Sequence, residues 1–298
     1  MATRYTLLHS GKKLSAMAAT TSAELAGVIS DTVGTGPLSF GGREVLTADR
    51  TYYVRADGSD SNTGLANTAG GAFLTIQKGV DTIQGKLDHG VYNVTLQVAD
   101  GTWTSAGVTV ALNNHSGSGI VTLQGNNTTP ANCIISSTGG RAVTCTGNVP
   151  WYIRGFKFTT SGSGTACIYA TGRAAFLNIF EAEFGACVGN HIEANAARIG
   201  LNSSYTISGA AAGHINLYGG AMIGTAAITG TVTGTPAIGT FCACNMTTNA
   251  TFNSMTYTGS ATGTRYSVTS NSVLLCGGSS TFFPGNVSGS TATGGQYL

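Results

Sequence analysis

Between Thr51 and Asn113 the spacing of apolar residues changes period once, and the rest of the chain keeps the second period. Ile76, Val80, Ile83 and Leu87 recur at helical intervals and make one apolar stripe, which predicts a helix. Thr75 stands where an N-cap satisfies the first free amides, and Gly90 lies just beyond the last apolar residue. Beyond that point helical periodicity disappears. Short alternating runs replace it: NVTLQV, GIVTLQG, WYIRGFKF, FLNIFEAEF, HINLYGG, AITGTVTG, FCACNM, FNSMTYT and YSVTSNSVLL, with Gly, Asn, Ser and Thr between them. Strands punctuated in this way read as a solenoid of stacked coils. Their starts lie about 15 to 30 residues apart, whereas a sandwich repeats its strands every 8 to 12 or so. Parallel strands also need a crossover, and the coil of a solenoid supplies one.

Two flanking pieces read differently. In residues 1–45, Thr21-Ser22-Ala23-Glu24 has the form of a capping box, and Leu25, Val28 and Ile29 follow at helical spacing before Gly34. A helix this short is marginal alone, so it is expected to pack on the solenoid end or on copies of itself. Residues 46–275 form the expected solenoid. Residues 276–298, GGSSTFFPGNVSGSTATGGQYL after Cys276, look irregular, with Phe282, Phe283, Tyr297 and Leu298 as apolar anchors of a cap or tip.

Composition supports an ordered β-structure with a neutral surface. Charged residues are 9% of the chain against about a quarter in ordinary domains, and Gly is 44 of 298. Disorder needs low hydrophobicity with high net charge, and the net charge here is +2. With no basic run beyond Lys12-Lys13, phosphate neutralisation and hence nucleic-acid binding is not expected. No apolar run approaches the roughly 18 residues of a membrane span, and the N-terminus lacks the apolar core of a signal peptide. Assembly in the cytoplasm is expected. Seven scattered cysteines are no disulfide framework. Cys242 and Cys244 point the same way on a strand, and no second pair completes a zinc site. VTCTG, TACIYATG and GACVGN place Cys145, Cys167 and Cys187 at solenoid-like intervals, which predicts an inward ladder of buried thiols.

YYVRADGSDSNTG followed by FLTIQKGVDTI resembles the start of right-handed parallel β-helix domains of the pectin-lyase-like superfold. In that family the helix plugs the open N-terminal end. FFPGNVSGSTATGGQYL resembles the end of β-helix fibre proteins encoded by tailed phages and prophages, and ATTSAELAGVISDTVGTG resembles the linker that precedes their fibre domains. The resemblance implies an all-β chain: a right-handed parallel β-helix with an N-terminal capping helix and a short helical attachment segment. It also implies a structural virion appendage, homotrimeric, joined to other virion proteins through Leu25, Val28 and Ile29 and displayed outward toward host-surface polysaccharide. The alternatives are a polysaccharide-degrading tailspike enzyme, and a head or collar fibre without a receptor role.

Function has to be weighed from residues, since a fold does not imply an activity. The chain holds 12 acidic residues and none follows Glu193. Strand alternation through Phe180-Glu181-Ala182-Glu183-Phe184 sends Phe180, Ala182 and Phe184 inward and both glutamates outward. Two positions apart on a strand is roughly 7 Å, a separation that inverting glycosidases use. Glu193 and Arg198 follow about one short coil later. Acid/base work on a glycoside needs one carboxylate held protonated by burial or a close like charge. The outward face offers neither, so catalysis by Glu181, Glu183 and Glu193 is not expected. Trp103, Trp151 and Tyr152 are candidate platforms for stacking sugars, against the commoner role of aromatics in packing. Asp57-Gly-Ser-Asp60-Ser-Asn62 lacks the spacing of a calcium loop. His9, His89, His115, His191 and His214 stand singly in the sequence, far from any triad pattern. No metal and no cofactor is expected.

Overall fold

The computed structural model describes residues 43–298 apart from 106, 113–116, 163 and 165, together with the strand pairs Leu7–Leu8, Lys12–Lys13 and Ser39–Phe40. The expected helix of Leu25, Val28 and Ile29 lies outside the described residues. From Arg50 onward the chain winds into a right-handed parallel β-helix of about eight turns. Every strand pair of the coils is parallel and joins one coil to the next, as the irregular but persistent strand spacing predicts.

The coils present three faces. On the first, the stack runs Val94, Val121, Trp151, Leu177, Ile199, Ile223, Ala250, Leu274, Tyr297. On the second it runs Trp103, Ile135, Phe158, Phe184, Ile207, Val232. On the third it runs Val108, Val143, Ile168, Ile192, Ile215, Cys242, Tyr266. Coil length varies from 22 residues between Leu177 and Ile199 to 35 between Val108 and Val143, which explains why the sequence shows no fixed repeat. The strands Trp151–Thr160 and Phe176–Phe184 are long enough to bend across two faces and merge them into one sheet. Inside, an aromatic file of Phe156, Phe158, Phe184, Phe241 and Phe283 fills the middle and last coils, with His214 joining Phe184 to Phe241.

The helix Ile76–Lys86 closes the first coil. Thr75 Oγ1 accepts from the Lys78 amide at 3.2 Å, and Ile76, Val80 and Ile83 are buried beneath the helix. Leu87, the fourth member of the predicted stripe, is buried as expected but has left the helix for the strand Leu87–Asp88. On its other side the helix turns two glutamines to the third face. Gln77 Oε1 accepts from the Thr109 amide at 2.7 Å and Gln84 Oε1 from that of Ala111, so side chains satisfy the strand edge. The loop 64–73 does the same for the first face, where Tyr53 donates to Gly64 at 2.8 Å and Phe73 to Tyr53 at 2.9 Å. The second face differs. Gly101–Ser105 pairs with Cys133–Ser137 on one side, and its other edge has no strand partner among the described residues.

Two expectations need correction. The three thiols of Cys145, Cys167 and Cys187 are buried and none is in a disulfide, but they do not form one column. Cys145 stacks on Ala170, whereas Cys167 lies one position before Ile168 and so falls beside His191. Beyond Cys276 the chain is less irregular than it reads: Ser290–Thr291 and Gln296–Tyr297 add further parallel strands, and Tyr297 stacks on Tyr266 at 3.8 Å.

Candidate functional site

The three acids are separated and engaged. Glu181 sits at a corner with left-handed backbone, φ 38°, opposite Gly155 at φ 73°. The corner breaks the alternation, so Phe180 turns outward, contrary to the expectation, while Ala182 and Phe184 remain inward. Arg154 Nε lies 3.0 Å from Glu181 Oε2, and Lys157 Nζ 2.7 Å from Glu183 Oε1. Ser208 Oγ also donates to Glu183 at 2.5 Å, and Ser203 Oγ accepts from the Glu181 amide. Glu193 lies on another sheet, in the stack Tyr169–Glu193–Asn216, and accepts from Tyr218 at 2.9 Å and Asn190 at 3.1 Å. Arg198 begins a strand of the first face, so it does not join Glu193 either. The partners Arg154, Lys157, Ser208 and Tyr218 come from neighbouring coils at separations of 25 to 27 residues, which no local pattern could reveal.

The aromatic candidates fall into three situations. Trp151 is wholly buried in the first-face stack, so its ring is spent on packing and offers no platform. Tyr152 is half-buried and outward, stacked on Phe180 with centroids 5.5 Å apart, and Arg154 lies 5.6 Å over Phe180. Trp103 begins the inward stack of the second face, and with no strand above it among the described residues its ring is only half-covered. Its indole N–H donates to the Ala99 carbonyl at 3.0 Å, which fixes the ring.

A groove of about 470 Å³ opens beside Trp103. Leu74 and Val108 wall it, Thr102 and Thr104 rim it, and none of its lining residues is charged. Leu74 is 42% exposed there. The edge of Gly101–Ser105 that has no strand partner among the described residues runs along it, so an aromatic face, hydroxyls and strand backbone converge. That set fits an uncharged, hydroxylated ligand with an apolar ring face. TWTS was the readable trace of this site. Leu74 was not, because its loop is brought to the strand only by the helix cap.

The loop Asp57–Asn62 is structural. Asp57 pairs with Arg55 at 2.8 Å, and the Asp60 carboxylate accepts from the amides of Leu74 and Thr75, at 2.9 Å each, and from Thr75 Oγ1. Among the described residues no cluster of His, Cys, Asp and Glu has the makings of a metal centre.

No protein-family model matches the chain, and no curated protein does. Among solved structures it is similar to the pectin methylesterase from Aspergillus niger in deglycosylated form, at 14% identity and a TM-score of 0.43, over 89% of this chain and 87% of that one. At that level the likeness carries no argument about activity.

Proposed function

We propose that the chain is a structural appendage protein of a tailed-phage virion, a homotrimeric fibre or spike whose solenoid holds host-surface polysaccharide without cleaving it. The observation that carries the binding part is the groove at Trp103: an open, uncharged platform, while the candidate acids are tied into ion pairs and hydrogen bonds elsewhere. The virion part rests on the sequence resemblance at both ends of the chain, with residues 1–45 as the attachment segment. Contact with a neutral sugar at one groove is weak, and repetition over three subunits and many appendages makes it useful.

The test uses the two tryptophans. Trp151 is buried and Trp103 is not, so quenching of tryptophan emission by added capsule or lipopolysaccharide reports the groove. Trp103→Ala is expected to weaken retention of the polysaccharide roughly tenfold or more, as truncation of a central aromatic anchor does. Undiminished binding by that variant removes the groove from the reading. A reducing-end assay on the same mixtures is expected to show no release. Oligosaccharide release that Glu181→Gln or Glu183→Gln abolishes makes the protein a degrading enzyme instead.

A further inference from the structure

Four titratable side chains in the middle coils serve neither the groove nor the ion pairs. His191 in Asn190–Asn195 and His214 in Ala211–Tyr218 are neighbours by register, since Ile192 pairs with Ile215. Their Nδ1 atoms are 3.1 Å apart. His191 Nε2 lies 3.0 Å from the Gly185 carbonyl, His214 Nε2 lies 3.0 Å from Tyr205 Oη, and Tyr205 Oη lies 2.8 Å from Tyr257 Oη. Both imidazoles are fully buried, His191 against Phe184 and His214 between Phe184 and Phe241. The titratable groups facing them are Tyr205, Tyr257, the Cys242 thiol and, beside His191, Cys167. Among the described residues no charged side chain bonds to either ring.

These contacts admit one arrangement of protons. A carbonyl only accepts, so His191 Nε2 carries the hydrogen, and in a neutral ring Nδ1 must then accept. His214 Nδ1 is therefore the donor between the rings, and its Nε2 accepts from the Tyr205 hydroxyl. Tyr205 in turn accepts from Tyr257. The chain points in one direction, from Tyr257 through Tyr205 and His214 to His191 and the Gly185 carbonyl. One added proton, on either ring, keeps all four contacts only if His214 Nε2 becomes a donor. Tyr205 must then donate to Tyr257, whose hydroxyl turns from donor to acceptor in that contact. A second proton sets two N–H groups against each other between the rings, and no arrangement accommodates it.

We infer that this chain is a built-in acid sensor of the solenoid: it stores one proton by reversing both tyrosine hydroxyls, and a second proton breaks the His191–His214 contact and loosens the stacking of the two coils that carry them. Burial acts in the same sense, holding His191 down at about 4 and His214 well below its ordinary value. The unfolded chain protonates both rings near pH 6.5 and the folded one does not. Stability is therefore fully present above about 6.5 and is lost as pH falls toward about 4, with the folding constant dropping by up to a hundredfold per pH unit.

The experiment is nitrogen-detected NMR of the full chain, with the ring resonances assigned. At pH 7 it is expected to show His191 protonated at Nε2 and His214 at Nδ1, and any other pair of tautomers overturns the inference. On acidification of the folded protein, one ring proton should be taken up before unfolding. Tyr257→Phe leaves the neutral chain intact but removes the acceptor that the reversed state needs, so uptake is expected about one pH unit lower, a tenfold loss of proton affinity. A purely structural pair of buried histidines titrates unchanged in Tyr257→Phe, and that result overturns the sensor.

Discussion

Glu181 shows why strand alternation alone misplaces a side chain. The residue adopts φ 38°, a region that side chains other than Gly enter at a cost, and the corner consumes one position of the two-residue period. Phe180 is therefore outward, although the pattern FEAEF places it inside. The glycine in WYIRGFKF marks the same corner one coil earlier, and a mid-strand glycine is a legible sign of a bulge. Burial of the thiols was also legible, from their small apolar settings, but their reactivities were not. Burial pushes Cys145 up to about 11 and Cys133 up to about 12, whereas a hydrogen bond from the Cys167 thiol brings Cys187 down to about 7. Since the thiolate is the nucleophile, iodoacetamide at pH 8 should modify Cys187 first, and Cys133 and Cys145 only after denaturation. Peptide mapping over time checks the order, and early modification of Cys145 contradicts it.

At the scale of one element, the helix was readable because its buried stripe and its cap are local. Its second task was not. Gln77 and Gln84 are seven residues apart on one helical face, and only the fold shows that they meet alternate amides of the strand Val108–Val110 and of Ala111 beyond it. Gln77 gives Thr109 both an acceptor, at 2.7 Å, and a donor, at 3.2 Å. Gln77→Ala leaves both backbone groups of Thr109 without a partner on the strand's outer edge, a loss of about 1–3 kcal/mol where water does not replace them. Hydrogen exchange is expected to accelerate at Thr109 while Ile153, in the middle of the first-face stack, stays protected. Equal acceleration at both sites means the helix holds the whole solenoid rather than one edge.

At the scale of the molecule, a solenoid with this composition has little charge with which to keep its sides apart. Charged residues are 9%, and the ion pairs of the coils join neighbouring rungs of the same chain. Along one corner, Val91 at 64% exposure and Ile120 at 39% stand on adjacent coils, and the next coil adds the half-buried Val149 and Pro150 beside Tyr152. A strip repeated at the coil spacing runs parallel to the solenoid axis, which is the direction along which parallel subunits would meet. The edge of Gly101–Ser105 that lacks a strand partner among the described residues adds a place where a further strand can pair. Closed rotation about a single axis buries such a strip on every subunit, whereas an open arrangement leaves one exposed at each end. Three chains around that axis is the arrangement expected here, also from the fibre resemblance. Native mass measurement should give three copies of the 30.1 kDa chain, and Ile120→Lys, which sets three like charges against one another in the strip, should shift the population toward monomer without altering the β-sheet circular dichroism. A wild-type chain that stays monomeric at micromolar concentration refutes the trimer and leaves the corner strip as a surface for some other partner.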